Sequence, residues 1–147
     1  YCRWLSAKTG RTFRLPTEAE WEKAARVKFP WGSADPDGKR ANFKKAADGH
    51  DHTAPVGSFP KGISFYGALD MAGNVWEWVG DRYDARYYRI SPAANPAGPA
   101  EGSERVVRGG SWDNSASFIR SANRSSEKPE SRLNILGFRV AMDEKLP

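Results

Sequence analysis

Hydrophobic positions recur with a helical period in two places, both near the start of the chain. Tyr1, Trp4, Leu5 and Lys8 share one face at helical spacing, and Gly10 supplies a stop just past the last turn, so a short first helix is predicted. The second signal is stronger. In Arg14-Leu15-Pro16-Thr17-Glu18-Ala19-Glu20-Trp21-Glu22-Lys23-Ala24-Ala25-Arg26, Thr17 can cap the free amides while Glu20 reaches back to complete a capping box. Glu18 and Glu20 suit the positive end of the helix dipole, and Lys23 and Arg26 suit the negative end. A helix from Thr17 to Val27 follows, burying Trp21, Ala24 and Ala25.

Past this helix neither period is sustained. From Phe29-Pro30-Trp31-Gly32 to Pro60 the chain is rich in Asp, Gly, Lys, Asn and Pro, which predicts ordered coil crossing the surface. Short strands are predicted at Ala54 to Ser58, Val75 to Val79, Arg105 to Arg108 and Gly137 to Ala141, with a loop over Ser91 to Gly102. One domain over residues 1–142 and a loose tail over 143–147 account for the whole chain. Fourteen Gly and ten Pro break up regular structure, while six Trp, five Tyr and seven Phe supply a core that does not need long elements. The prediction is a loop-rich α+β domain.

Charge changes this picture little. The 23 Lys and Arg exceed the 18 Asp and Glu by five, but they are dispersed along the chain. Neither a basic stripe nor a stacking motif is present, so nucleic acid is not expected as a partner. No apolar run reaches membrane-spanning length. The single cysteine, Cys2, excludes an internal disulfide framework and a thiolate metal cluster. Tyr1-Cys2-Arg3-Trp4-Leu5 reads as the middle of an amphipathic helix, so further domains or an N-terminal segment are expected before it.

Candidate chemistry concentrates in Leu69-Asp70-Met71-Ala72-Gly73-Asn74-Val75-Trp76-Glu77-Trp78. Hard cations such as calcium take oxygen ligands, and an irregular segment kinked at Gly73 can aim several at one point. Asp70 and Glu77 are the candidate side-chain ligands, with the carbonyls of Gly73 and Val75 between them. The competing reading makes Trp76 and Trp78 core aromatics and the two acids turn caps. His50 and His52, with Asp48 or Asp51, fall short of a matched zinc spacing. Gly109-Gly110-Ser111 lacks the Lys-Ser/Thr of a phosphate loop and is better read as close backbone packing beside Trp112.

Five segments in order resemble the sulfatase-modifying-factor family, which includes the formylglycine-generating enzyme: Arg14 to Glu22, Pro30-Trp31-Gly32, Asp70 to Trp78, Arg108-Gly109-Gly110-Ser111-Trp112 and Gly137-Phe138-Arg139-Val140-Ala141. The resemblance covers nearly the whole chain and corresponds to the C-terminal portion of a family domain. It implies a C-type-lectin-like fold and structural calcium on Asp70, Gly73, Val75 and Glu77. A second implied calcium site falls on Asn42, the Phe43 carbonyl, Asp48 and the His50 carbonyl. The family's oxidase holds copper(I) on two cysteines shortly after its Gly-Gly-Ser motif, and soft thiolates are what that ion requires. Here that stretch, Trp112 to Ser121, contains no cysteine, so no copper is expected. A branch of the family resembling sulfoxide synthases places iron on histidines of a separate domain, which would have to come from outside this chain.

What remains is a recognition surface. Within Ser111 to Asn134, Arg120, Ala122, Arg124 and Pro129 read as framework. Trp112, Asp113, Asn114, Ser115, Ser117, Phe118, Ile119, Ser121 and Asn123, with Leu133 and Ile135, read as side chains offered to a protein, peptide or glycan. Leu136 and Phe138 read as core. The layout also resembles the variable ligand-binding proteins of diversity-generating retroelements, which place substitutions in this segment.

Overall fold

The computed structural model describes residues 1–143. Helix α1 (Cys2–Thr9) ends on Gly10 at φ 70°, a left-handed conformation that costs glycine little. It has no buried residue, and Trp4 is 60% exposed. Strand β1 (Thr12–Arg14) leads into helix α2 (Glu18–Ala25), where the capping box forms as expected: Thr17 accepts from the Glu20 amide, and Glu20 accepts from the Thr17 amide. The helix closes earlier than expected, because Arg26 takes φ 67°.

Most of the chain from Arg26 to Val75 is coil and turns, with one 3-10 turn at Pro60–Gly62. The strand expected at Ala54 to Ser58 is absent. Ala54 spends its amide and carbonyl on the Asn74 side chain, and Ser58 turns back to the Pro55 carbonyl, so no ladder partner is left for this segment. Strand β2 (Trp76–Arg82) is the centre of the main sheet. It pairs antiparallel with β3 (Arg105–Arg108) and parallel with β5 (Leu136–Phe138), and β4 (Arg124–Glu127) adds to β3 to give the order β4-β3-β2-β5. The expected strand at Gly137 to Ala141 is in fact two: β5, and then β6 (Ala141–Asp143), which crosses to pair with β1. Asp143 therefore belongs to a strand and not to the tail, and it receives Arg14 at 3.0 Å; residues 144–147 lie outside the described residues.

Two adjoining cores hold these elements. Trp21, Ala25, Met71, Val79 and Val106 pack α2 on the sheet, while Phe29, Ala41, Ala72 and Ile119 lie under the coil. Met71 and Ala72, neighbours in sequence, serve one core each. Buried charge is concentrated beside them. Glu18 accepts Arg108 from β3 at 3.0 Å and Arg124 from β4 at 2.6 and 2.8 Å, and Glu18 and Arg108 are both fully buried. The sequence reading placed Glu18 only at the dipole. Phe138, expected in the core, is 48% exposed and meets Tyr1.

Glu20 ties α2 to β1 through Arg14 at 2.6 and 2.8 Å. That guanidinium, helped by the Thr17 amide, holds the Glu20 carboxyl at about 2, below its ordinary 4.5. Because the folded value is the depressed one, this stabilisation is present above pH 4.5 and is lost as the pH falls toward 2. In thermal melts across that window, Glu20→Gln is expected to lose less stability on acidification than the parent chain. The difference should be small, since both partners are more than a third exposed and water screens them.

Candidate functional site

The segment after Leu69 is built by two residues in left-handed conformations, Asp70 at φ 57° and Asn74 at φ 63°. Asp and Asn tolerate this region because their short side chains can bond locally. Asp70 Oδ2 accepts the Gly57 amide at 2.7 Å, and Asn74 clamps both backbone groups of Ala54 at 2.8 and 3.2 Å. Gly73 is required by close approach, since a Cβ there would lie 2.1 Å from the Asn42 carbonyl oxygen.

Glu77, one of the expected cation ligands, is engaged by protein donors. Arg139 bonds both of its oxygens at 2.6 Å, the Trp21 indole donates to it at 2.6 Å, and Glu77 is buried in β2. Arg139 also reaches the Leu69 and Asp70 carbonyls, so a guanidinium supplies positive charge at this end of the segment. Glu77 is a partner of Arg139 here. Trp76 is a core aromatic, as the competing reading had it, and Trp78 is half-buried.

Asp70 behaves differently. Among the described residues, four buried side-chain polar atoms lack a hydrogen-bond partner, and the two carboxylate oxygens in that set are Asp70 Oδ1 and Asp48 Oδ2. Each comes from one of the two implied calcium sites. A buried carboxylate oxygen without a partner is costly, and a hard cation is the ligand that would satisfy it. Asp48 Oδ1 is occupied by the His50 amide at 2.9 Å, and the Phe43 carbonyl accepts the Ala46 amide. Asn42 is buried and uses its amide nitrogen on the His52 carbonyl at 2.7 Å. Amide and carboxylate oxygens suit calcium. No group of three or more His, Cys, Asp or Glu gathers among the described residues. The histidines turn to separate rings, His50 to Phe59 and His52 to Trp112.

The expected recognition residues divide into anchors and outward side chains. Ile119 is 0% exposed in the second core and Ser121 is buried, so neither is offered to a ligand. Asn114 turns inward too, accepting from the Ser111 amide at 3.0 Å and hydroxyl at 2.9 Å. Asn123 is half-buried and donates to the Phe118 carbonyl at 3.0 Å. Asp113, Ser115, Ser117, Phe118 and Leu133 are exposed, with Trp112 half-buried behind them. The alternation arises because Gly110, at φ 74°, lets the chain pass so close to Ile119 that a Cβ would meet it at 2.8 Å. Gly109 packs against Trp21, so the Gly-Gly step serves those two residues and not Trp112.

Sequence reasoning missed a groove of about 1000 Å³ lined by Tyr1, Leu15, Trp78, Asp81, Arg105 and Phe138, among others. Burial raises the carboxyl of Asp81 above its ordinary range, opposed by the bond it accepts from the Glu18 amide at 2.7 Å. None of the expected cation or recognition residues lines this groove. It joins α1, β1, β2 and β5, so no local pattern could announce it.

The family profile described as "Sulfatase-modifying factor enzyme 1-like domain" matches residues 1–144. The chain belongs to the sulfatase-modifying-factor family. Within it, the chain is similar to the formylglycine-generating enzyme of Streptomyces coelicolor, 42% identical over 165 residues that cover 99% of this chain and 50% of that protein. Its structure is similar to PvdO from Pseudomonas aeruginosa, with a TM-score of 0.87 and 37% identity, covering 98% of this chain and 57% of that one. It is also similar to Treponema denticola variable protein 1, with a TM-score of 0.70 and 35% identity, covering 88% and 47%. The chain thus spans about half the length of these family proteins. The α+β arrangement with few regular elements is the family's.

The division into anchors and outward side chains is open to measurement. Ile119→Ala should destabilise the chain by about 2–5 kcal/mol in denaturant melts, whereas Phe118→Ala should change stability by no more than about 0.5 kcal/mol. Equal costs would mean that Phe118 is also core.

Proposed function

We propose that this chain is a calcium-stabilised recognition module of the sulfatase-modifying-factor family, binding a protein, peptide or glycan through Trp112, Asp113, Ser115, Ser117, Phe118 and Leu133. The observation that carries this reading is the alternation along residues 111–121: Ser111, Ile119 and Ser121 are buried anchors, and exposed polar and aromatic side chains stand between them. Such a loop can present varied chemistry without disturbing the core beneath it. The similarity to a variable protein from Treponema denticola supports the same reading. So does the cysteine inventory: Cys2 lies in α1, and Trp112 to Ser121 offers no thiolate for copper(I).

A second reading is an enzyme whose active site uses residues outside this chain. The similarity to a formylglycine-generating enzyme of which the chain spans half favours it. Incubation of the whole gene product with a cysteine-containing sulfatase peptide, copper(I) and oxygen separates the two. The peptide mass should stay unchanged, and conversion to formylglycine would overturn the recognition reading. Peptides selected from a random display library, or glycans from an array, should lose about tenfold or more in affinity on Phe118→Ala or Leu133→Ser with the melting temperature retained, within the range of interface anchor residues. Ligands indifferent to both variants would place recognition elsewhere.

The calcium part rests on Asp48 and Asp70, with Asn42 and the carbonyls of Phe43, His50, Gly73 and Val75 as further oxygen donors. Its role would be to tie coil that lacks strand bonds. At calcium a hundredfold above its dissociation constant, binding stabilises by about 2.7 kcal/mol. Chelation should therefore lower the melting temperature by several degrees, and Asp48→Ala with Asp70→Ala should abolish that response. A melt indifferent to chelator would remove calcium from the proposal.

A further inference from the structure

We infer that cation binding by the 42–54 loop and ligand binding by the Trp112 face are coupled, so that calcium orders the recognition surface without touching it. This rests on the calcium and recognition readings above, and it adds the path between them. Six contacts make that path. Asn42, in the same loop as the unpartnered Asp48 oxygen, donates to the His52 carbonyl at 2.7 Å, and the His52 ring packs edge-on against Trp112 with centroids 4.7 Å apart. The Asn42 carbonyl accepts the Asn74 amide at 2.8 Å, and the Asn74 carbonyl accepts the Trp112 amide at 3.0 Å. Lys44, next to Phe43, donates its amide to the Asn114 carbonyl at 2.9 Å and pairs with Asp113 at 3.1 Å. Asp70 fixes the Gly57 end of the same coil.

The loop's conformation is thus held by side-chain bonds radiating from Asn42, Asp48 and Asn74, with no strand ladder to hold it otherwise. Within it, Asp48 Oδ2 is buried and unmatched. A cation there removes the penalty that favours opening of the loop, and a closed loop fixes His52 and Lys44 against Trp112 and Asp113. Linkage makes the effect mutual: what loosens Trp112 must weaken calcium binding by the same factor.

Amide hydrogen exchange on the intact chain, in calcium and in chelator, tests this with the metal alone as probe. Calcium should slow exchange at the Trp112, Lys44 and Ala54 amides by about tenfold or more, within the usual range of coupling between sites, and leave the β1–β6 ladder unchanged. Calorimetric titration supplies the reciprocal arm. Trp112→Ala and His52→Ala should weaken calcium binding by about fivefold or more, and Phe118→Ala, on the same face but outside the path, should leave it unchanged. If calcium binds and protection stops at residues 42–50, with both variants binding calcium normally, the coupling is overturned and the calcium reading stands. If no calcium binds, both are overturned.

Discussion

Glu18 is buried at the first turn of α2, and its charge is matched by Arg108 from β3 and Arg124 from β4. The cluster fixes how the helix lies on the sheet, because three charged groups cannot leave water unless they meet in one geometry. Arg108 also bonds Glu22 and the Ser121 carbonyl and lies against the Trp21 ring at 5.3 Å. One guanidinium thereby joins the helix, the sheet and the base of the 111–121 loop. Breaking a buried pair of this kind by removing one partner costs about 3–5 kcal/mol, whereas an exposed pair such as Arg14 and Glu20 contributes about 0–1 kcal/mol. Glu77 and Arg139 repeat the device at the Trp21 indole N–H.

The coil follows the same logic with weaker groups. Regular elements satisfy backbone polarity by repetition, and a chain with so few of them must use side chains instead. Asn42, Asn74, Asp48 and Asp70 do this for residues 42–57, and Asn114 does it for the turn after Gly110. Such bonds leave one carboxylate oxygen over at Asp48 and one at Asp70.

Function then depends on what these fixed loops carry. The Gly-Gly turn holds both residues at positive φ, 95° and 74°, and Gly110 passes too close to Ile119 for a Cβ. The side chains at its rim carry no thiolate in the segment after that turn. Alternate residues of the 111–121 loop are anchored, so its exposed side chains can differ without disturbing the core beneath.

The sequence by itself determined what is set by near neighbours. The capping box, the glycine stop after α1, strand β3 and the paucity of regular structure each need only a few consecutive residues, so they were legible. The cysteine count was likewise complete in the sequence. The tertiary structure alone decided pairings across long separations: that Glu18 and Glu77 are buried among arginines 90 and 62 residues away, and that Asn74 takes the Ala54 backbone from a would-be strand. It also decided that Ile119 and Ser121 face inward while Phe118 faces out. In irregular chain no period assigns a side chain to a face, so each orientation follows from which distant surface happens to lie beneath it.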